Sequence, residues 1–279
     1  MSYSTDLTDQ EWEIIEPLLP KKRKTNRIKW NKRIIFNAIL YQLKNGCNWR
    51  DLPKDFPPYQ TVYDYYSQWR KDGTFDKLGK FCHQKLREQV DKNPHYSSLI
   101  MVDSQAVKNT CTASKDTSGF CLYKATNGIK RHLAVDSLGF PFLLYCSKAS
   151  LSDDQGLIEM FKENINFFKL KPMNTKKITI LVDRGYHPNT IMTALKEIYP
   201  AIDKKIKFKV SEKISPEEKK EKGLTGFVPE KMRWIIERSN AWVERCKSLI
   251  KNFESTLKYA ETRLSLCFTR LMLIRLAAG

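Results

Sequence analysis

The spacing of apolar residues divides the chain into two parts. Up to about residue 95 the apolar positions follow helical spacing, interrupted by turns. From residue 97 onward, short continuous apolar runs alternate with longer amphipathic stretches, which predicts strands mixed with helices. We therefore predict a helical domain over residues 1–95 and a mixed α/β domain over residues 96–279.

The first part has the order helix, turn, short aromatic helix. Thr8 and Glu11 form a capping-box pattern before the first helix. A basic run leads into "NKRIIFNAILYQLKNG", where Gly46 is placed to end a helix. After a proline-rich turn, "TVYDYYSQWRKDG" predicts a compact basic and aromatic helix. This order is typical of a helix-turn-helix DNA-binding unit. The alternative is a plain helical bundle with Tyr63 and its aromatic neighbours in the core.

The second part predicts a sheet of five strands with helices between and after them. The strands are expected at 98–103, 130–136, 140–146, 177–183 and 205–210. Helices are expected at 154–168, after Pro188, at 230–253 and at 255–276. The charged stretch 211–229 predicts a surface insertion. No glycine-rich phosphate loop is present, which excludes a doubly wound nucleotide-binding fold.

Three of these strands end in Val-Asp, and their carboxylates are candidates for chemistry. Asp136 is followed by Ser-Leu-Gly, so we assign it to a turn. Asp153 and Asp154 precede a helix and are predicted to cap it. Asp103 and Asp183 close apolar runs without a tight turn, which places them at the rim of the sheet. Two such carboxylates repel each other unless a cation such as Mg²⁺ or Mn²⁺ joins them.

A metal site for phosphoryl transfer needs a third acid, and the helix after the charged stretch offers two. Glu237 and Glu244 lie on the same polar face, two turns apart. The pattern does not choose between them. It is equally typical of an exposed helix with ion pairs at i, i+4 spacing.

The composition indicates which kinds of partner the chain binds and where in the cell it is expected. Lys and Arg number 49 against 31 Asp and Glu, a net charge of +18, which predicts binding to a polyanion such as DNA. The seven cysteines include no C-x-x-C pair, which argues against a disulfide framework and a zinc knuckle. No signal core or membrane-length apolar run is present, so a cytoplasmic protein without a membrane partner is expected.

Several segments resemble the DDE transposases of bacterial insertion sequences, in the insertion-sequence-five family of the larger four/five group. At the N-terminus, "LTDQEWEIIEPLLP" and "NGCNWRDLPKDFPPYQTVYDYYSQWRKDG" are similar to the family's opening domain. Further on, "VDSQAVK", "GIKRHLAVDSLGFP", "LVDRGY" and "WIIERSNAWVERCKSL" follow in the family's order. Together they extend over nearly the whole chain.

The resemblance implies a ribonuclease-H-like catalytic domain with a mixed sheet flanked by helices. In that fold the first acid lies mid-sheet on strand one, the second follows strand four, and the third lies on a helix packed across the sheet. The family's catalytic and metal-binding triad corresponds to Asp103, Asp183 and Glu237. Glu237 is selected because it is the acid of the E-R-x-x-A-W signature. Two Mg²⁺ or Mn²⁺ ions per site would activate water and then a 3′-hydroxyl.

The chain departs from one pattern of the related four-type group, Y-x2-R-x3-E-x6-K. Arg233 fits the R-x3-E part, whereas Glu230 and Glu244 replace the tyrosine and the lysine. We therefore infer no role for Glu230 or Glu244 from that pattern.

The implied function is a transposase that binds the terminal inverted repeats of its element and catalyses metal-dependent DNA cleavage and strand transfer. The expected partners are repeat and target DNA and at least one second copy of the chain, at the nucleoid, with no small-molecule substrate. Candidate DNA-binding residues are Lys21, Lys22, Arg23, Lys24, Arg27, Arg50, Tyr63, Arg70, Lys130, Arg131, Arg233, Arg238, Arg245 and Lys247. Each of the basic side chains could equally be a solvated surface charge.

Two other functions remain open. One is a ribonuclease-H-like nuclease without strand transfer. The other is a DNA-binding regulator derived from a transposase that has lost catalysis. The presence of all three carboxylates in their motifs disfavours the regulator.

Overall fold

A computed structural model describes residues 3–20, 30–211 and 232–279. The chain forms two compact units. The helical unit consists of 1–95, 110–113 and 243–279, and the α/β unit of 96–109 and 114–242. The C-terminal segment therefore groups with the N-terminal helices, whereas the sequence pattern placed it in the second domain. Five candidate basic residues (Lys21, Lys22, Arg23, Lys24 and Arg27) lie outside the described residues, as does the charged insertion beyond Ser211.

The helices are α1 (Asp9–Ile15), α2 (Lys32–Asn45), α3 (Tyr59–Lys71), α4 (Thr74–Gln89), α5 (Asp153–Glu163), α6 (Ile165–Leu170), α7 (Pro188–Ile198), α8 (Ile202–Lys205), α9 (Arg233–Glu244), α10 (Lys247–Ile250) and α11 (Leu257–Ala277). The strands are β1 (Leu99–Lys108), β2 (Gly119–Cys121), β3 (Thr126–Val135), β4 (Pro141–Lys148), β5 (Ile178–Val182) and β6 (Ile206–Val210). Within the described parts of the chain, no helix is long and apolar enough to cross a membrane.

The helices of the N-terminal region begin and end where local chemistry favours it. The hydroxyl of Thr8 accepts a hydrogen bond from the backbone N–H of Glu11, and the Glu11 carboxylate accepts one from the Thr8 N–H. This confirms the capping box. Gly46 follows α2 with φ 69°, the left-handed conformation expected of a glycine at a helix end.

The core of the helical unit joins both ends of the chain. Helix α11 packs against α4. Its Phe268 is fully buried, as are Phe36 and Phe75 of the N-terminal helices. The Arg270 guanidinium lies 2.6 Å from the buried carboxylate of Glu11, which pairs α11 with α1. Burial of apolar area and this buried ion pair explain why the last helix belongs to the first unit.

The aromatic residues of α3 divide between core and surface. Tyr66 and Trp69 are 2% exposed and pack in the core, as the bundle interpretation predicted for these positions. Tyr63 points outward, 42% exposed, with its ring 5.6 Å from that of Trp49.

The α/β unit contains one mixed sheet in the order β2-β3-β1-β5-β6, with β4 also paired to β3. The β1–β3, β3–β4 and β2–β3 pairs are antiparallel, whereas β1–β5 and β5–β6 are parallel. This confirms the mixed α/β class and agrees with a ribonuclease-H-like domain. The described sheet has six strands. The prediction of five strands omitted the short strand β2.

Strand β1 is longer than its sequence pattern suggested. It pairs with β3 from Met101 opposite Val135 to Lys108 opposite Gly128. Asp103 therefore lies in the middle of a strand and not at its end, which corrects the expectation from the apolar run. Strand β1 is the central strand in the order β2-β3-β1-β5-β6, in agreement with the mid-sheet position that the family resemblance implied.

The two faces of the sheet have different environments. Ile100 and Val102 point into a core with Leu157 and Phe161 of α5 and Ile191 of α7. Since side chains alternate along a strand, Asp103 projects from the opposite face. The fold thus places one carboxylate on the face that α5 and α7 do not cover.

Asp136 has the turn role that its sequence context predicted. Its Oδ1 accepts hydrogen bonds from the backbone N–H groups of Leu138 at 2.9 Å and Phe140 at 3.2 Å. The side chain is fully buried and closes the β3–β4 turn.

Candidate active site

Asp103 is held by its own strand and by helix α9. On β1 it pairs with Leu133 of β3. The Asn240 side-chain amide donates a 2.9 Å hydrogen bond to Asp103 Oδ2. Burial raises the pKa of Asp103 above its ordinary value, and the nearby charge of Asp183 adds to this. The Arg233 guanidinium and the hydrogen bonds from the Ser104 N–H and Asn240 act in the opposite direction.

Asp183 follows β5 directly, next to Asp103. Strands β1 and β5 are parallel, with Met101 opposite Leu181. Continuing that register by two residues brings Asp183 beside Asp103, on the same face. The Asp183 carboxylate accepts a 2.7 Å hydrogen bond from the Arg184 N–H, which fixes its direction. Two carboxylates therefore meet at neighbouring positions of adjacent strands.

The loop after Asp183 is fastened to the start of α5. The backbone N–H of His187 donates to Asp154 Oδ1 at 3.0 Å, and His187 Nδ1 lies 2.7 Å from Asp154 Oδ2. Tyr186, which lies between Asp183 and His187 in the sequence, is 5% exposed. This two-point attachment limits where the Asp183 backbone can move.

Asp153 and Asp154 do not cap α5, contrary to the prediction. The N-cap is Ser152, whose hydroxyl accepts a hydrogen bond from Gln155 N–H at 3.2 Å. Asp153 instead accepts a 2.7 Å hydrogen bond from the Ser104 hydroxyl and lies 2.8 Å from Lys130 Nζ. From the first turn of α5, Asp153 contacts β1 and Asp154 contacts the loop after β5.

Glu237 lies on α9, one turn from Arg233. Arg233 Nη1 is 2.8 Å from Asp183 Oδ1, and its Nε is 3.9 Å from Glu237 Oε1. One guanidinium thus sits between the second and third carboxylates of the proposed triad. Glu244, the alternative acid, groups with the helical unit.

Helix α9 is held against the β3–β4 turn by several contacts. The Ser239 hydroxyl donates to Gly139 O at 2.8 Å, and Arg238 Nη2 donates to Leu138 O at 3.0 Å. The Arg238 guanidinium also lies 4.7 Å from the ring centroids of both Trp234 and Trp242. These contacts hold α9 where Asn240 reaches Asp103 on β1.

The three carboxylates fit a hard cation by their chemistry, since Mg²⁺ and Mn²⁺ prefer oxygen ligands. Arg233 already supplies positive charge between Asp183 and Glu237. In the described parts of the chain, however, no three His, Cys, Asp or Glu side chains are close enough together to hold a metal ion. Arg233 would therefore have to release its carboxylate partners before all three acids could bind one.

The candidate basic residues of the α/β unit are mostly engaged or buried. Lys130 is 7% exposed, and its ammonium donates to Leu151 O at 2.6 Å besides pairing with Asp153. Arg131 is 3% exposed. Arg233 and Arg238 make the contacts described above. His132, on the same strand, is fully buried with Nε2 2.9 Å from the Ser147 hydroxyl, a structural role.

The candidate residues of the helical unit are more accessible. Arg50, Arg245 and Lys247 are exposed. The guanidinium of Arg70 lies 3.4 Å from the ring centroid of Tyr259, which engages its face. Tyr63 is exposed, and its ring lies next to that of Trp49.

Sequence reasoning missed the residues that position the carboxylates. Asn240 had a visible signal, since it lies on the same helical face as Arg233 and Glu237. Asp154 and His187 had none, because 33 residues separate them and only the fold brings them together.

Comparison with known families gives two matches. A family model described as "Transposase DDE domain" matches residues 95–272. A second, described as "Putative transposase of IS4/5 family", matches residues 7–79. The chain belongs to the DDE transposase family.

Two curated proteins are similar to part of this transposase. One is the "Insertion element IS402 uncharacterized 16.2 kDa protein" of Burkholderia cepacia, 31% identical over 111 residues, which cover 37% of this chain and 72% of that protein. The other is the "Uncharacterized protein y4sN" of Sinorhizobium fredii, 33% identical over 73 residues, 26% of this chain and 58% of that protein. No solved structure matches the transposase.

Proposed function

We propose that this transposase binds the terminal inverted repeats of its insertion sequence and catalyses metal-dependent DNA cleavage and strand transfer. The observation that supports this most directly is the meeting of Asp103 and Asp183 on adjacent strands, with Glu237 of α9 linked to Asp183 through the guanidinium of Arg233. Family membership and the name of the insertion-element relative point the same way.

The proposed catalytic and metal-binding residues are Asp103, Asp183 and Glu237. Two Mg²⁺ or Mn²⁺ ions, when bound, would supply Lewis-acid stabilisation and lower the pKa of the attacking water or 3′-hydroxyl. Asp103 presents its carboxylate from a strand paired on both sides, so its position is rigid. Asn240 fixes the orientation of that carboxylate with a neutral amide, which adds no charge to compete with a cation.

Arg233 has a second role in this proposal. If Asp183 and Glu237 held a cation, Arg233 would give up its contacts with these two carboxylates. A planar guanidinium matches the geometry of phosphate oxygens, so Arg233 is placed to contact the DNA backbone next to the carboxylates. The same residue would thus neutralise the site without DNA and bind phosphate with it.

DNA recognition is assigned to the helical unit. The exposed side chains Arg50, Tyr63, Arg245 and Lys247 are available there. The basic run at 21–29, outside the described residues, adds Lys21, Lys22, Arg23, Lys24 and Arg27 to the proposed set. Joining two element ends requires at least a dimer on DNA, and we place the reaction at the nucleoid in the cytoplasm.

One assay separates this function from its two alternatives. The protein is incubated with Mg²⁺, labelled repeat-end DNA and a target plasmid. Joined products support the transposase reaction. Cleavage without joining indicates a nuclease, and a gel shift without cleavage indicates a regulator.

Replacement of Asp103 tests the site itself. Asp103→Asn should abolish cleavage and joining and leave DNA binding unchanged, because the amide cannot hold a divalent cation as a carboxylate does. Asp91→Asn removes the same charge from an exposed position with φ 53°, which asparagine tolerates, and serves as the control. Strand transfer by the Asp103→Asn protein would refute the assignment.

A further inference from the structure

The hairpin formed by β2 and β3 ends in an unusual group of exposed apolar side chains. Four residues, 122–125, connect the strands. Leu122 is 86% exposed and Tyr123 90%, and Phe120 within β2 is 52% exposed. Single exposed apolar residues are common on protein surfaces, but three large ones within four positions indicate an interaction site. We call residues 119–126 the apolar hairpin tip.

The hairpin is a firmly paired ribbon. A Cβ at Gly128 would lie 2.0 Å from Val107 O, so only glycine allows β3 to approach β1 this closely. At Gly119 a Cβ would lie 2.5 Å from the Ser150 hydroxyl. The Asn109 and Ala149 N–H groups donate 3.0 Å hydrogen bonds to the Asn127 and Gly128 carbonyls. The apolar hairpin tip is therefore presented from a fixed base.

The surroundings of the apolar hairpin tip are basic. Lys124 lies within it, with Nζ 5.3 Å from the ring centroid of Tyr123. Lys108, Lys115 and Lys148 are exposed on the neighbouring strands and turn. Aromatic side chains interleaved with lysines are typical of surfaces that contact nucleic acid, where bases pack on rings and ammonium groups meet phosphates.

The register of the sheet relates the hairpin to the candidate active site. Asp103 is opposite Leu133, and Phe120 is opposite Asn127 of the same strand β3. Leu133 and Asn127 differ by an even number of residues, so Asp103 and Phe120 project from the same face of the sheet. Six residues of strand correspond to about 20 Å. That distance is roughly six base pairs at about 3.4 Å per pair.

We propose that the apolar hairpin tip is a DNA contact about six base pairs from the phosphate that would be cleaved at the candidate active site. Leu122 and Tyr123 pack against bases or sugars in the minor groove, and Lys124 contacts a phosphate. A second copy of this chain is the other conceivable occupant. It fits less well, because two tips with the same positive charge repel each other. The contact between the apolar hairpin tip and DNA does not depend on the proposed function. The distance from the cleaved phosphate rests on it.

DNA affinity of the full-length protein tests the proposal. Leu122→Ser with Tyr123→Ser should weaken binding to a fluorescein-labelled duplex of about 30 base pairs by roughly ten-fold, measured by anisotropy. Lys124→Ala should reduce the slope of log affinity against log salt by about one. The control combines Leu170→Ser and Lys176→Ala, which alter an exposed leucine and an exposed lysine away from the hairpin.

Two results would overturn the proposal. One is unchanged DNA affinity in both hairpin variants. The other is loss of self-association, measured by sedimentation, while DNA affinity stays the same, which would assign the tip to a second copy of the chain.

A crosslink separates this proposal from the proposed function. With p-benzoylphenylalanine in place of Phe120, irradiation should attach the protein to DNA about six base pairs from the cleaved bond. Crosslinking to DNA by a protein that never cleaves would support the hairpin contact and refute the catalytic function. Crosslinking only to protein would refute the hairpin contact and leave the catalytic function standing.

Discussion

Two side chains of α9 hold the three carboxylates in this structure, and they do so with different chemistry. Asn240 gives Asp103 a directional hydrogen bond without charge. Arg233 gives Asp183 and Glu237 a positive charge that a divalent cation would replace. Asn240 can therefore remain in place during the reaction, whereas Arg233 cannot keep both contacts.

Asn240→Ala should lower the cleavage rate and raise the Mg²⁺ concentration needed for half-maximal activity, each by about 10- to 100-fold. The cause is loss of the hydrogen bond that orients Asp103. A Mg²⁺ titration of the cleavage rate measures both effects. Ala241→Ser, at the exposed neighbouring position, should leave them unchanged. An unaltered Mg²⁺ requirement in Asn240→Ala would show that Asn240 does not position Asp103.

The buried histidine of β3 should make stability depend on pH. Burial lowers the pKa of His132 to about 4 from its ordinary 6.5, outweighing the nearby Asp153 carboxylate. Between these two values the unfolded state binds more protons than the folded state. The free energy of unfolding should therefore fall as the pH drops from 6.5 toward 4, by on the order of 3 kcal/mol in total.

Urea denaturation at several pH values measures this loss. His132→Asn removes the titrating group and should flatten the dependence between pH 6.5 and 4. His95→Asn, which changes an exposed histidine, should behave as the unaltered protein does. An equal pH dependence in all three proteins would contradict the prediction.

At the level of single residues, the sequence shows the proposed acids more readily than the residues that contact them. Asp103, Asp183 and Glu237 each lie in a local motif, so their chemistry is visible in short segments. The contact between Asp154 and His187 links segments that have no local relation. Burial of Lys130 was not visible either, because its neighbours along the strand do not reveal the Asp153 carboxylate that pairs with it.

The position of α9 depends on one glycine of the β3–β4 turn. Gly139 has φ 86°, and a Cβ there would lie 2.9 Å from the Ser239 hydroxyl and 3.0 Å from Arg238 Nη2. The turn and the helix approach so closely that the two α9 side chains bond directly to turn carbonyls. The helix that carries Glu237 can lie this close to the turn because Gly139 has no side chain.

Gly139→Ala should lower the free energy of unfolding by about 1–3 kcal/mol and reduce cleavage more than DNA binding. Two causes combine, the left-handed φ and the collision with α9. Gly73→Ala isolates the first, because Gly73 has φ 74° and no atom within 4 Å of an added Cβ. Denaturation and cleavage assays compare the two. Equal effects of both substitutions would show that contact with α9 is unimportant.

Among the elements, the sequence predicted the long amphipathic helices and the apolar strands, and it misjudged strands whose pairing depends on distant segments. The polar half of β1, Ser104–Lys108, carries no apolar run, yet it is a strand because β3 pairs with it. Strand β2 is three residues long and exists only as the partner of β3. Pairing of this kind is a tertiary effect that overrides local propensity.

At the scale of the whole molecule, the charge of +18 should dominate the strength of DNA binding. If about six phosphates are neutralised, affinity for a duplex should fall by roughly 1,000-fold between 50 and 200 mM salt, because each contact releases bound counterions. Anisotropy titrations at several salt concentrations give the slope. A slope near zero would show that the positive charge is not used to bind DNA.

The arrangement of the helical unit was also beyond the reach of the sequence pattern. Helix α11 is long enough to be predicted as a helix from the sequence, but its partner, α4, lies far away along the chain, at Thr74–Gln89. Nothing in the spacing of its apolar residues distinguishes packing on the sheet from packing on the N-terminal helices.

Because α11 packs against α4, the helical unit is completed by a segment that is synthesised long after its other helices. Helices α1–α4 cannot complete this packing until synthesis reaches α11. The α/β unit, by contrast, has all of its residues once Trp242 is made. A polypeptide that stops between α9 and α11 would keep all three carboxylates and lack the helix that packs against α4. Loss of this late segment would therefore weaken the packing of helices that were synthesised well before it.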